Sequence, residues 1–153
     1  MNINWHKMKK IQNIHRLLYA AGLGPLVGKI ILLLTTTGRK SGLARTTPLQ
    51  YELIDGKYYL GAARGRSADW VRNIEANPNV QVRVKRLSFT GTARVSSDFK
   101  EIADFLEIRL QRHPFMIGMI MKKAHNLPRK PNRQQLEELA KNEVMVVITP
   151  DES

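Results

Sequence analysis

The stretch Leu49-Gln50-Tyr51-Glu52-Leu53-Ile54-Asp55-Gly56-Lys57-Tyr58-Tyr59-Leu60-Gly61-Ala62-Ala63 decides the fold class. Leu49, Tyr51 and Leu53 alternate with Gln50 and Glu52, the period of a strand with one face on a core. Asp55-Gly56 is a dipeptide that accepts positive φ at both centres of a two-residue hairpin turn. Lys57 to Ala63 is then the return strand, antiparallel to the first. Downstream, Val80, Val82 and Val84 alternate with Gln81, Arg83 and Lys85. Leu87, Phe89, Gly91, Ala93 and Val95 follow the same rule beyond a turn at Lys85-Arg86. The apolar runs Ile30–Leu34 and Val144–Ile148 read as buried strands. Strand–helix alternation is missing from residues 44–96, which excludes a doubly wound parallel sheet there. The expectation is an α+β, mainly β fold: a small barrel of about six mostly antiparallel strands with peripheral helices.

The helices announce themselves at their ends. Residues 5–21 form a basic amphipathic pattern, with Trp5, Met8, Ile11, Ile14, Leu18 and Ala21 on one face. Ser67 reads as the N-cap of a short helix carrying Trp70, Val71 and Ile74, which Asn77-Pro78 stops. Asp98 with Glu101 reads as a capping box opening a helix that buries Phe99, Ile102, Ala103, Leu106 and Leu110 and ends before Pro114. A Met-rich helix over 115–124 and a short one capped by Asn132 with Gln135 follow. No linker divides the chain, so residues 1–153 are expected to form one domain.

Composition narrows the chemistry. The chain has no cysteine, which excludes disulfides, thiolate metal sites and a Cys nucleophile. The histidines His6, His15, His113 and His125 lack ligand spacing, so no metal site is expected. No apolar run nears the ~20 residues of a membrane span, and a cytoplasmic protein is expected. The net charge is +12, and the first carboxylate is Glu52. Such a field favours an anionic partner: a phosphorylated cofactor, an acidic membrane surface or nucleic acid. Nucleic acid is disfavoured because no aromatic stacking platform is evident. The 5–21 helix is a candidate for peripheral membrane contact or for packing on one barrel end.

The densest chemistry lies in Thr35-Thr36-Thr37-Gly38-Arg39-Lys40-Ser41-Gly42-Leu43-Ala44-Arg45-Thr46-Thr47-Pro48-Leu49. Glycines let successive N–H groups turn toward an anion. Arg39 and Arg45 can fork onto phosphate or carboxylate oxygens, and Lys40 adds a point charge. The alternative is a polar, solvated hairpin connection. A second candidate is Ala62-Ala63-Arg64-Gly65-Arg66-Ser67-Ala68-Asp69-Trp70, where small side chains let a flat ring approach the backbone before a helix N-terminus. Trp70 either walls that pocket or anchors its helix in the core. No catalytic constellation stands out, so an enzyme of this sequence would leave the hard chemistry to a cofactor.

The run Leu33 to Leu49, the Asp55-Gly56 turn, Ala62 to Gly65, Trp70, Asn73 and the Ala76-Asn77-Pro78 to Val82 strand together resemble the deazaflavin (coenzyme F420)-dependent nitroreductase and quinone reductase family. The likeness runs in order over roughly residues 12–150. It implies a split β-barrel similar to FMN-binding oxidoreductases, with F420 as cofactor and FMN as the alternative. It implies that Thr37, Gly38, Arg39, Lys40, Ser41 and Gly42 form the phosphate loop, with Arg45, Thr47, Pro48 and Leu49 on the strand beside it. It implies that Ala62, Ala63, Arg64 and Gly65 face the deazaflavin ring, and that Trp70 and Asn73 close the site. The implied reaction is hydride transfer from reduced F420 to a small-molecule acceptor: a quinone, nitro or enone compound. The catalytic residue and the oligomeric state stay unassigned, and a non-enzymatic lipid-binding protein of the same fold is the third reading. Two departures stand out. Nitroimidazole-reducing members carry tyrosines in their C-terminal helices, whereas the last tyrosine here is Tyr59, and Phe115, Met116, Met119 and Met121 occupy that region. A hydroxyl common in the ring-facing strand is Ala63 here.

Overall fold

The structure, a computed structural model, describes residues 31–152. The helix expected over 5–21, and Ile30, lie outside the described residues. Seven strands form one sheet, in the order β2-β1-β5-β6-β7-β4-β3. They are β1 (Ile31–Thr37), β2 (Ala44–Gln50), β3 (Glu52–Ile54), β4 (Lys57–Ala62), β5 (Asn79–Val84), β6 (Leu87–Ser96) and β7 (Val144–Pro150). Every pairing is antiparallel. The expected count of about six becomes seven because the strand around Leu49–Leu53 breaks at Tyr51. β2 and β3 are the two edges of the sheet, yet only Tyr51 separates them in sequence. Joining opposite edges through one residue forces the sheet to curl, and a half-barrel results.

The hairpin turn forms as read: Asp55 and Gly56 take φ of +51° and +78°. Two local expectations need correction. β1 continues through Thr35, Thr36 and Thr37 instead of ending at Leu34, because Thr35–Thr37 pair with Thr46–Ala44. The Thr35 and Thr46 hydroxyls meet at 2.9 Å across that pair. Ser67 is not an N-cap. It lies in a 3₁₀ turn over Gly65–Ser67, and Ala68 caps helix α1 (Asp69–Ala76) without a side-chain bond.

Three further helices follow: α2 (Phe99–Arg112), α3 (Pro114–His125) and α4 (Arg133–Ala140). Asp98 caps α2 through the N–H groups of Lys100 and Glu101, but the box is incomplete. The Glu101 carboxylate turns to Arg94 (2.6 Å) and Ser96 (3.0 Å) instead. Asn132 and Gln135 do complete a box on α4.

Two cores result. Inside the barrel, Leu32, Leu34, Tyr58, Leu60, Val80, Val82 and Val146 enclose the apolar face of α1, with Trp70, Val71 and Ile74. Outside it, α2, α3 and α4 bury Ile102, Ala103, Phe105, Ile117, Met121 and Leu136 against Met145 and Val147. β7 serves both cores with alternate residues, which explains its unbroken apolar sequence.

Candidate active site

The loop between β1 and β2 is built by its backbone. Gly38 N–H donates to Leu43 O at 2.7 Å, and Gly42 N–H donates to Gly38 O at 2.8 Å. A Cβ on Gly38 would sit 2.7 Å from Ser41 Oγ and 3.2 Å from Leu43 O, so only glycine allows so tight a loop. Gly42 closes it with φ of +71°. Ser41 Oγ accepts from Leu43 N–H at 3.2 Å and keeps its own O–H free to donate.

Helix α1 fixes the loop from the other side through Asn73, a buried side chain. Asn73 Oδ1 accepts from Arg39 N–H at 3.2 Å and from Arg39 Nη1 at 2.9 Å. Asn73 Nδ2 donates to Thr36 Oγ1 at 3.2 Å. Arg39 Nη2 also pairs with Asp69 at 3.2 Å. Arg39 is therefore a brace between loop and helix. Lys40 and Arg45 are exposed and make no ion pair among the described residues.

Gly38, Arg39, Lys40, Ser41, Arg45, Thr46, Thr47, Asp69, Trp70 and Asn73 line one cleft of about 520 Å³. One residue further along β2, Pro48, Leu49 and Gln50 line a second cavity of about 560 Å³. Ala62 and Ala63 of the β4 end share it with Ile102, Phe105, Leu106 and Arg109 of α2 and with Ile117, Ile120 and Met121 of α3. Pro48 can sit in β2 because that strand is a sheet edge, where an absent N–H costs no ladder bond. The strand thus joins a cationic cleft to a mainly apolar cavity.

Not every expected residue lines these spaces. Thr37, Gly42, Arg64 and Gly65 line neither. Trp70 lines the cationic cleft and is absent from the cavity that holds Ala62 and Ala63, while its buried body anchors α1 in the barrel core. On α3, Met121 lines the cavity, whereas Phe115 is 76% exposed and Met116 and Met119 are not in its wall.

The sequence reading did not single out Asp69, Gln50, Arg109, His125 or Glu143 as site residues, although Asp69 lines the cleft and the others the cavity. For Arg109 a signal existed: it stands at helical spacing from Ile102, Phe105 and Leu106, on the stripe that faces the core. Burial lowers the affinity of its guanidinium for the proton, partly offset by the nearby Glu52 charge. Burial raises the pKa of Glu143, and His125 opposes that shift.

Comparison with known proteins places this architecture. A family profile described as F420H(2)-dependent quinone reductase matches residues 8–115. An F420H(2)-dependent quinone reductase of Mycobacterium tuberculosis is 41% identical over 66 residues, a match spanning 41% of this chain and 44% of that relative. A solved F420-H2 dependent reductase superposes with a TM-score of 0.50 at 26% identity, covering 76% of this chain and 92% of that one. HutZ, the heme storage protein of Vibrio cholerae, superposes with a TM-score of 0.54 at 16% identity over 80% of this chain and 82% of its own, a likeness of fold. With more than half its length matched by that one profile, and with a half-barrel shared by a solved reductase, the chain belongs to the F420H(2)-dependent quinone reductase family.

Proposed function

We propose that this protein is a reductase that binds the deazaflavin F420 and uses it to reduce a quinone. The observation that carries the reading is the sequence of linings along β2, from unpaired cations at Arg45 to apolar walls at Pro48 and Leu49. That order suits a ligand with an acidic arm and a flat ring.

The residues fit such a cofactor at both ends. Lys40, Arg45 and the Ser41 hydroxyl offer donors to the acidic tail, and Arg39 holds their loop in place. Gly61, Ala62 and Ala63 leave room for a ring beside Pro48 and Leu49. When bound, reduced F420 supplies a hydride from C5 of its ring. The chain contributes orientation, worth up to several kcal/mol of barrier when reacting atoms are held in contact. Ile102, Phe105, Ile117 and Met121 limit water around the acceptor. Among the described residues no tyrosine lies on α2, α3 or α4, and the helices offer the acceptor a mainly apolar wall that includes Phe105 and one cation, Arg109, which favours a quinone over a nitro or enone compound.

The test is a titration with F420 followed by tryptophan fluorescence, Trp70 being in the cleft wall. Micromolar binding is expected, together with menadione reduction by reduced F420. No binding at millimolar F420 overturns the reading, and tight binding of FMN in its place redirects it to a flavin reductase.

A further inference from the structure

A half-buried cation whose Nε is fully buried in an apolar wall calls for a partner. Arg109 sits on α2 one turn after Phe105 and lines the cavity beside β2. A guanidinium carries five N–H donors. Among the described residues one bond is made, from Nη2 to Gln50 Oε1, while Nε is buried with no acceptor. The Phe105 ring lies under the charge, its centroid 5.6 Å from Cζ. Glu52 contributes its field but no bond to Arg109. Glu52 Oε1 lies 2.8 Å from His113 Nε2 without a hydrogen bond, and Oε2 lies 3.9 Å from Arg112 Nη1, so this carboxylate neighbours the cation without satisfying its donors. Burying a charged group with unused donors costs several kcal/mol unless an acceptor arrives. Ala62, Ala63, Pro48 and Leu49 line the same cavity as Arg109, so the guanidinium and the proposed ring site share one space.

We propose that Arg109 is the acceptor-side donor of the reductase: its guanidinium donates to the quinone oxygen on which negative charge grows during reduction. This rests on the quinone-reductase reading. In the overall step the quinone gains a hydride and a proton and leaves as the hydroquinone. That hydride carries two electrons from the reduced cofactor, which is thereby oxidised, and the proton it also releases exchanges through solvent with the one the quinone takes up. Arg109 itself neither gains nor loses a proton, because a guanidinium stays charged at neutral pH. It stabilises the oxyanion by hydrogen bonds in a water-poor cavity, where one such donor is worth about 10²–10³ in turnover.

The experiment has two arms. Protein labelled with ¹⁵N-arginine and saturated with oxidised F420 is titrated with menadione, and the Nε–H resonance that Arg109→Lys removes is followed. That resonance is expected to shift at saturation. Turnover of menadione by Arg109→Lys and Arg109→Gln is expected to fall about 10²-fold with F420 affinity unchanged. An unmoved resonance, or wild-type kcat and KM in both variants, overturns the proposal while the reductase stands. A merely structural arginine would lower Tm in the variants without a menadione-dependent shift, which also overturns it. Wild-type protein that binds no F420 overturns the reductase reading, and this proposal with it.

Discussion

Arg39 in the loop and Arg45 at the start of β2 stand six positions apart in one cationic stretch, and the structure gives them different work. Arg39 bonds Asn73 through both its backbone N–H and Nη1 and pairs with Asp69, so it holds the loop to α1. Arg45 has no such partner among the described residues and opens on the cleft. Replacing Arg45 by Ala is expected to weaken F420 binding by about 1.5–3 kcal/mol, the scale of a charged hydrogen bond, with Tm unchanged. Arg39→Ala is expected to weaken binding and to lower Tm as well, because the buried Asn73 then loses its Nη1 donor and the Asp69 pair is lost with it, although the backbone N–H at position 39 stays. Fluorescence titration and thermal denaturation on the same samples separate the two. Equal Tm losses in both variants would show that the brace has been assigned to the wrong arginine. Residue types alone gave these two cations the same role. Their separation depends on Asn73, which α1 brings across more than thirty positions of sequence.

At the level of elements, apolar alternation located the strands well and polar pairing escaped it. The three threonines of β1 look like loop by hydropathy, and they extend the strand only because β2 offers partners, including the Thr46 hydroxyl. Glu101 shows the same limit at a helix start. Its spacing from Asp98 suits a capping box, but Arg94 on β6 draws the carboxylate away at 2.6 Å. The bond from Arg94 holds the Glu101 pKa below the ordinary carboxylate value, burial opposes this, and Ser96 assists it. The sign follows from that direction. A pKa lower in the folded than in the unfolded chain adds stability above the unfolded value of about 4.3, and the gain is lost as pH falls through the folded value. Glu101→Gln is therefore expected to lower Tm at pH 7 and to converge on wild type as pH falls below about 4. Denaturation curves across that range check it, and a Tm difference independent of pH would rule out the Arg94–Glu101 pair as its source.

For the whole molecule, the closure of the sheet creates the site. β2 carries the cationic and apolar linings in series, and the curl forced at Tyr51 lets β4 and α2 face its second half. The barrel class was legible because hairpins are local. The apolar cavity was not, since it depends on how α2, α3 and α4 dock on β7, and no spacing in the chain encodes that docking. Charge is the property that composition does report at this scale: +12 over 153 residues. Lys40 and Arg45 are exposed, so their attraction for an acidic tail is open to screening, with a Debye length of about 10 Å at 0.1 M salt and about 3 Å at 1 M. The affinity for F420 is expected to fall steadily as salt rises over this range. The same deazaflavin stripped of its acidic tail is expected to bind more weakly at low salt and to respond little to added salt, because what remains is ring contact with Pro48, Leu49, Ala62 and Ala63. Titrating both ligands across the salt series measures the loop's share directly. If the tailless ring binds as tightly as F420 at low salt, the cationic loop is a solvated connection and the cofactor's grip lies elsewhere in the barrel.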